Sequence, residues 1–201
     1  MPVTHYICKY TPVELLAAFG GTCAILNHMP ENFDLSDQVS HPNLCGFGKA
    51  LLETCLEGNV RELVLVNCCD TIRSAYDVLL EYGELDFLFL LDMLHADGEC
   101  SRERTKRELL RLAKAYGAYK GTEFDFSKFQ AAFQPVKRPD GPYLSVLGGR
   151  VGEELFSMME ETMPLPVENA TCANNRRVAP PADQGDFAAL MEDYARCLLG
   201  Q

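Results

Sequence analysis

Three cysteines, Cys45, Cys69 and Cys172, stand where a thiolate could do chemistry. Cys69 follows an apolar strand pattern at 62–67 and precedes a helical pattern, Cys45 opens another helical pattern, and Cys172 follows a strand pattern near 165–169. At a helix N-terminus, the macrodipole and the free backbone N–H groups favour the thiolate form of cysteine. Thiolates hold iron–sulfur clusters and need no CxxC spacing to do so. Three cysteines from separate loop ends therefore suit a cofactor held between two lobes.

Other chemistry is open at the same positions. Zinc is the competing metal, but the sequence contains neither CxxC nor HxxxH. A nucleophilic cysteine would need a histidine partner, and only His41 and His95 lie near predicted strand ends. Cys45 and Cys69 could also be ordinary half-buried thiols. Spacing alone leaves these alternatives open.

The remaining cysteines do not indicate a disulfide framework, because the total of nine is odd and the spacing is irregular. Three of them have apolar neighbours and are predicted to be small buried hydrophobic side chains: Cys23, Cys55 and Cys197.

Several glycines and arginines could contact a ligand. Gly46 and Gly48 would let the backbone approach a bulky group closely. The segment 148–152 resembles a phosphate-binding turn in which Arg150 could pair with an anion, although a plain strand-to-helix turn is the favoured interpretation. Three more arginines could meet phosphates or simply be solvated: Arg73, Arg176 and Arg177.

Hydrophobic periodicity predicts the elements that must position these residues. Strands are predicted at 23–26, 62–67, 87–91, 143–147 and 165–167, and a loop is predicted at 30–42. Helices are predicted at 12–19, 47–56, 72–82, 102–116, 126–133, 151–161 and 187–199. Thr11 and Glu14 are expected to form a capping box at the first helix, and Ser101 is expected to cap the longest helix, which Gly117 should end.

The alternation of strands and helices predicts an α/β fold with a parallel sheet and right-handed crossovers. We expect a Rossmann- or flavodoxin-like first lobe at 1–134, a linker at 135–142, and an incomplete second α/β lobe at 143–201. Two strands are too few for an independent sheet. The second lobe must therefore lean on the first lobe or on another chain, or the natural protein continues further.

Composition limits the classes of partner. The chain has 201 residues, and 29 acidic against 18 basic side chains give a formal net charge of -11, which argues against nucleic-acid binding. No apolar run approaches the roughly 20 residues that span a bilayer. The start of the sequence lacks a basic flank and an apolar signal core, so we expect a cytoplasmic protein.

Three segments carry a family resemblance. They are Tyr-Thr-Pro-Val-Glu-Leu-Leu-Ala-Ala-Phe-Gly at 10–20, Cys-Gly-Phe-Gly-Lys at 45–49, and Asn-Cys-Cys-Asp-Thr-Ile-Arg-Ser-Ala-Tyr-Asp at 67–77. Together they resemble the 2-hydroxyacyl-CoA dehydratase family, which includes benzoyl-CoA reductase subunits and double-cubane cluster proteins. Residues 89–94 look like the next strand of that family, and 143–176 are similar to the start of its second domain.

The resemblance implies a two-lobed protein with a [4Fe-4S] cluster held by three cysteines, two of which match Cys45 and Cys69. It implies a lyase in which an ATP-hydrolysing activator delivers one electron and an acyl-CoA thioester is reduced to a ketyl radical that eliminates water. It also implies a partner subunit or a second copy of the chain.

The sequence departs from the family in two places. A short linker replaces a long helical stretch, and the third ligand of the family comes from a region after the point where this chain ends. A third thiolate would come from Cys172, from Cys68 or from another subunit. The alternative function is a non-catalytic electron-transfer, regulatory or structural module of the same fold.

Overall fold

The computed structural model describes residues 2–94, 96, 98–134, 139–172, 176, 178–182 and 185–200. His95 and Arg177, named above, lie outside this range. The strands are β1 (Val3–Tyr6), β2 (Thr22–Ile25), β3 (Glu62–Val66), β4 (Phe87–Leu91), β5 (Leu144–Val146) and β6 (Val167–Asn169). The helices are α1 (Val13–Ala18), α2 (Asp34–Val39), α3 (Gly46–Leu56), α4 (Asp70–Tyr82), α5 (Glu99–Lys120), α6 (Phe126–Ala131), α7 (Glu153–Thr162) and α8 (Phe187–Leu199).

The main sheet has the order β2-β1-β3-β4, and every neighbouring pair is parallel. All five residues of β3 are buried, as a strand covered by helices on both faces requires. The predicted α/β class with a parallel first lobe is confirmed.

Strand β1 was not predicted, although it lies inside the sheet between β2 and β3. Its residues include Thr4 and His5, so it lacks the continuous apolar run that marks β3. Thr4 is fully buried and donates a hydrogen bond to the carboxylate of Glu62. The Glu62 carboxylate also accepts bonds from Tyr119 Oη at 3.0 Å and from Lys120 Nζ at 2.6 Å. A buried polar cluster therefore substitutes here for apolar contacts.

The longest helix extends past its predicted end. Gly117 lies within α5, where a side chain would place a Cβ 2.9 Å from Cε1 of Phe19, so this glycine serves close packing and does not stop the helix. The helix ends at Gly121, whose φ of 63° is left-handed. Ser101 is buried inside the first turn, and Gly98 occupies the N-cap position instead.

The expected capping box at α1 is wrong. Pro12 holds the N-cap position, and no side chain caps this helix. Glu14 is buried and accepts hydrogen bonds from Tyr194 Oη and from Arg176 Nη2, both at 2.5 Å. Its carboxylate therefore connects α1 to α8 and is not available for its own helix terminus.

Residues 30–42, predicted to form a loop, contain the short helix α2. Glu53 on α3 is buried and accepts hydrogen bonds from the backbone N–H groups of Leu35 at 3.0 Å and Ser36 at 2.6 Å. Burial opposes ionisation of Glu53, but these hydrogen bonds outweigh it and lower the pKa of the carboxyl group. The contact with Glu53, which is distant in sequence, therefore stabilises α2. The polar sequence of α2 alone does not predict a helix.

Strands β5 and β6 form a separate two-stranded parallel sheet, and α7 contributes no buried residue to it. Helix α8 packs against α5, and its Tyr194 ring meets Phe129 of α6 edge-on at 5.1 Å. The last helix, at 187–199 in the predicted second lobe, therefore contributes to the same core as α5 and α6. The boundary at 135–142 stays a prediction, since 135–138 lie outside the described residues. Among the described helices, none combines the length and apolar composition needed to cross a bilayer.

Candidate thiol site and adjoining cavity

Three cysteines, Cys8, Cys68 and Cys69, follow two neighbouring strands at the point where the order of the strands in the sheet reverses. The chain leaves β1 towards β2 on one side and leaves β3 towards β4 on the other, so the carboxyl ends of β1 and β3 border a crevice. Cys8 lies two residues after β1, and Cys68 and Cys69 directly follow β3 and Asn67. Open α/β sheets bind ligands at this position.

Cys45 and Cys69 begin neighbouring helices. Cys45 occupies the N-cap position of α3, and Cys69 occupies the N-cap position of α4. The Cys45 thiol lies 3.6 Å from the hydroxyl of Thr71, in the first turn of α4. Both cysteines are exposed. Two reachable thiols therefore lie at adjoining helix N-termini.

Gly48 explains how the two helices approach each other so closely. A Cβ at this position would lie 2.4 Å from Cγ2 of Thr71 and 3.0 Å from Cγ of Leu44. A Cβ at Gly46 would meet nothing within 4 Å. Gly48 thus makes room for α4, whereas the sequence suggested that it makes room for a ligand.

Further thiols surround Cys68. Lost hydration, together with negative charge on Cys8, Cys69 and Cys172, raises the pKa of Cys68 to about 12. Burial raises the pKa of Cys8 to about 11. Bringing several of these sulfurs together as thiolates therefore requires a compensating cation, and binding of a metal would release protons.

Cys172 lies between the segment after β1 and the turn after β5. Its carbonyl accepts a hydrogen bond from the backbone N–H of Lys9 at 2.7 Å, next to Cys8, and its own N–H donates to Gly148 at 3.3 Å. Within the part of the chain that the structure describes, no three Cys, His, Asp or Glu side chains are arranged to hold one metal ion. The structure thus places Cys45 against the first turn of α4, which Cys69 begins. It places Cys172 against the loop that contains Cys8. That these cysteines bind a metal stays a prediction.

The three cysteines predicted to be hydrophobic side chains behave accordingly. Cys55 is buried, and Cys23 and Cys197 are partly buried against the core. Burial raises the pKa of Cys23 and of Cys55 to about 12, so both remain thiols at neutral pH.

A polar network beside Cys69 was not predicted. Asn67 Nδ2 donates to Asp92 Oδ1 at 2.7 Å, Arg104 donates to the other Asp92 oxygen, and Arg73 Nε donates to Asn67 Oδ1 at 2.6 Å. The hydrogen bond from Asn67 lowers the pKa of Asp92 against the effect of burial, and Arg104 adds to the lowering. Arg73 is therefore engaged by protein groups. The sequence signal for this network is the polar residue that directly follows each apolar strand, Asn67 after β3 and Asp92 after β4.

The two other arginines considered for anions also bind protein groups. Arg176 donates to the backbone carbonyls of Lys9 and Thr11 as well as to Glu14. Arg150 Nη2 donates to the carbonyl of Leu26 at 2.5 Å and to Oδ1 of Asn27 at 2.6 Å. Burial lowers the pKa of Arg150. The turn at 148–152 is thus held against the residues that follow β2.

A cavity of about 330 Å³ lies between this turn and α3. Its lining includes Ile7, Leu26, Phe47, Leu51 and Arg150. Gly46, the residue after Cys45, also borders it, so the cavity adjoins the thiol site.

Sequence comparison gives the relationship of this protein to others. The family model for the 2-hydroxyglutaryl-CoA dehydratase D-component matches residues 8–140, about two-thirds of the chain. The chain belongs to this family. Cys45 and Cys69 both lie inside the matched range of the D-component family, and Cys172 lies outside it. A search of curated proteins found no match to the sequence.

Proposed function

We propose that this D-component family member is a subunit of a 2-hydroxyacyl-CoA dehydratase and that Cys45 and Cys69 hold a [4Fe-4S] cluster. The observation that carries the proposal is the 3.6 Å contact between the Cys45 thiol and Thr71, two residues after Cys69. It brings two exposed thiols to the same edge of the sheet, inside the family-matched range.

The donor chemistry suits the cluster, because thiolates are its ordinary ligands. Two of the three expected sulfurs are reachable at adjoining helix N-termini. The third is proposed to come from Cys172, Cys68 or a partner subunit. When bound, the cluster would supply a low-potential electron and an iron that acts as a Lewis acid.

The chain's own residues have separate tasks in this proposal. The N-termini of α3 and α4 present the two sulfurs at the same edge of the sheet. Gly48 sets the spacing between the helices, and Asn67 fixes Arg73 near the same edge. An activator ATPase, a partner subunit or second copy, an acyl-CoA substrate and a cytoplasmic location belong to the same proposal.

Anaerobic reconstitution followed by iron and sulfide analysis tests the proposal. Wild-type protein should retain iron and sulfide in equal amounts, and Cys45→Ser and Cys69→Ser should each lower both. Cys197→Ser is the matched control, because this half-buried thiol lies on α8. An iron-free wild type, or iron unchanged in both ligand variants, would overturn it. Dehydration of a 2-hydroxyacyl-CoA in the presence of activator and reductant separates a catalytic subunit from an electron-transfer module.

A further inference from the structure

We infer that the cavity beside α3 receives an uncharged, apolar acyl chain of the substrate, an inference that rests on the proposed function. The cavity begins at Gly46 and Phe47, the two residues that follow Cys45. A thioester whose reacting carbons lie near the Cys45 thiol would therefore direct its acyl chain along the first turns of α3. The matched family is named for glutaryl, which ends in a carboxylate, so the inference differs from that name.

The floor of the cavity is hydrocarbon. Ile7 and Leu51 are 3% exposed, Ala50 is 6% exposed and Leu26 is 9% exposed. At about 30 Å³ for each water-sized group, a volume of about 330 Å³ holds about ten non-hydrogen atoms. A straight chain of six carbons or a short chain with one aromatic ring fits this space.

Thr54 and Arg150 Nη2 are already hydrogen-bonded to protein groups, and the other polar residues of the lining, Asn27 and His28, are exposed. The Thr54 hydroxyl donates to the carbonyl of Ala50 at 2.8 Å, which directs its hydrogen-bonding capacity to the backbone. Arg150 Nη2 donates hydrogen bonds to the carbonyl of Leu26 and to Oδ1 of Asn27, and the guanidinium lies 5.1 Å from the centre of the Phe47 ring. A carboxylate at the end of the acyl chain would lose its hydration, and among the described groups of the buried wall it would find only Arg150 Nη1 without a partner.

Arg150 Nη1 is the group to which an acyl chain ending in a carboxylate would bind. This atom is buried and has no hydrogen-bond partner among the described residues. Because this atom is buried, a carboxylate would reach it only after the Arg150 side chain moved. A dicarboxylic acyl group is therefore the alternative that the experiment must separate.

The test compares butyryl-CoA, hexanoyl-CoA and glutaryl-CoA binding to the full-length chain by isothermal titration calorimetry. The CoA moiety is common to all three, so differences in affinity report on the acyl group. Each added methylene should tighten binding about fourfold, so hexanoyl-CoA should bind about 15-fold more tightly than butyryl-CoA. Hexanoyl-CoA should also bind at least about tenfold more tightly than glutaryl-CoA, because the carboxylate loses hydration.

Two variants fill the cavity. Ala50→Leu adds volume at the floor, and Gly152→Leu adds it at the wall, where a new Cβ meets nothing within 4 Å, so we expect the second variant to fold normally. Both should reduce the advantage of hexanoyl-CoA over butyryl-CoA to about twofold or less. Ala118→Leu, at an exposed position on α5, is the control and should leave the advantage unchanged.

Equal affinity for the three thioesters, tighter binding of glutaryl-CoA, or no binding at all would overturn the inference. So would an unchanged preference in a folded Gly152→Leu protein. Iron and sulfide analysis distinguishes this failure from failure of the proposed function. A protein that binds iron through Cys45 and Cys69 without selecting acyl chains contradicts only the cavity inference, and an iron-free protein contradicts the cluster.

Discussion

Substituting alanine for Gly48 should separate the two helices that begin at Cys45 and Cys69. The added Cβ would stand 2.4 Å from Cγ2 of Thr71, far inside van der Waals contact. Thr71 is β-branched, so its side chain has few rotamers. Turning it away would also break its contact with the Cys45 thiol. Helix α4 must therefore shift.

The magnitude follows from two opposing effects. Overpacking of a close contact costs about 1–3 kcal/mol. Replacing glycine by alanine within a helix returns up to about 1 kcal/mol. We therefore expect Gly48→Ala to lower the free energy of unfolding by about 1–2 kcal/mol. At about 2–4 °C per kcal/mol for a chain of this size, the melting temperature should fall by about 2–8 °C.

Urea unfolding followed by circular dichroism measures this change, and two variants make the assay specific. Gly46→Ala, with no neighbour within 4 Å of its new Cβ, should not destabilise the protein. Thr71→Ser removes Cγ2 and keeps the hydroxyl, so adding it to Gly48→Ala should restore most of the lost stability. If the double variant is no more stable than Gly48→Ala alone, the steric reasoning is wrong.

Three further changes test the buried polar groups. Glu62→Gln should lower the free energy of unfolding by about 3 kcal/mol, because Lys120 Nζ, 2.6 Å away, loses its counter-charge; adding Lys120→Met should recover part of the loss in urea titrations. The pKa of Glu53 is lowered in the folded protein, so its contribution is present above the unfolded pKa of about 4.3 and is lost as pH falls further; Glu53→Gln should flatten the dependence of stability on pH between about 5 and about 3. Tyr194→Phe should cost about 1–3 kcal/mol in thermal or urea unfolding, because the Glu14 carboxylate, 2.5 Å from the hydroxyl, loses a buried donor; an unchanged stability would mean that Arg176 alone satisfies Glu14.

Elements with a strong local pattern could be predicted from the sequence. The apolar runs of β3 and β4 and the amphipathic pattern of α8 each gave the element that the structure contains. Strand β1 escaped prediction because Thr4 is satisfied by Glu62, 58 positions away, which no local pattern records. The interpretation of Gly117 as a helix end was wrong for a similar reason. Gly117 lacks a side chain so that the ring of Phe19 can pack closely against α5.

The candidate site divides in the same way. The places of Cys45 and Cys69 at the starts of α3 and α4 are confirmed, because helix starts are marked by local sequence. The role of Gly48 and the partner of Asp92 depend on how separate loops meet. Whether Cys45, Cys69 and Cys172 share a cluster stays a prediction.

The turn at 148–152 has a consequence for how this family member could diversify. Through Arg150, a short surface segment supplies one wall of a cavity whose other lining residues come from between Ile7 and Thr54. Turns tolerate substitution and insertion better than the elements that they connect. Selection acting on that segment alone could reshape the space beside α3, while the junctions that present Cys45 and Cys69 kept both their sequence and their geometry.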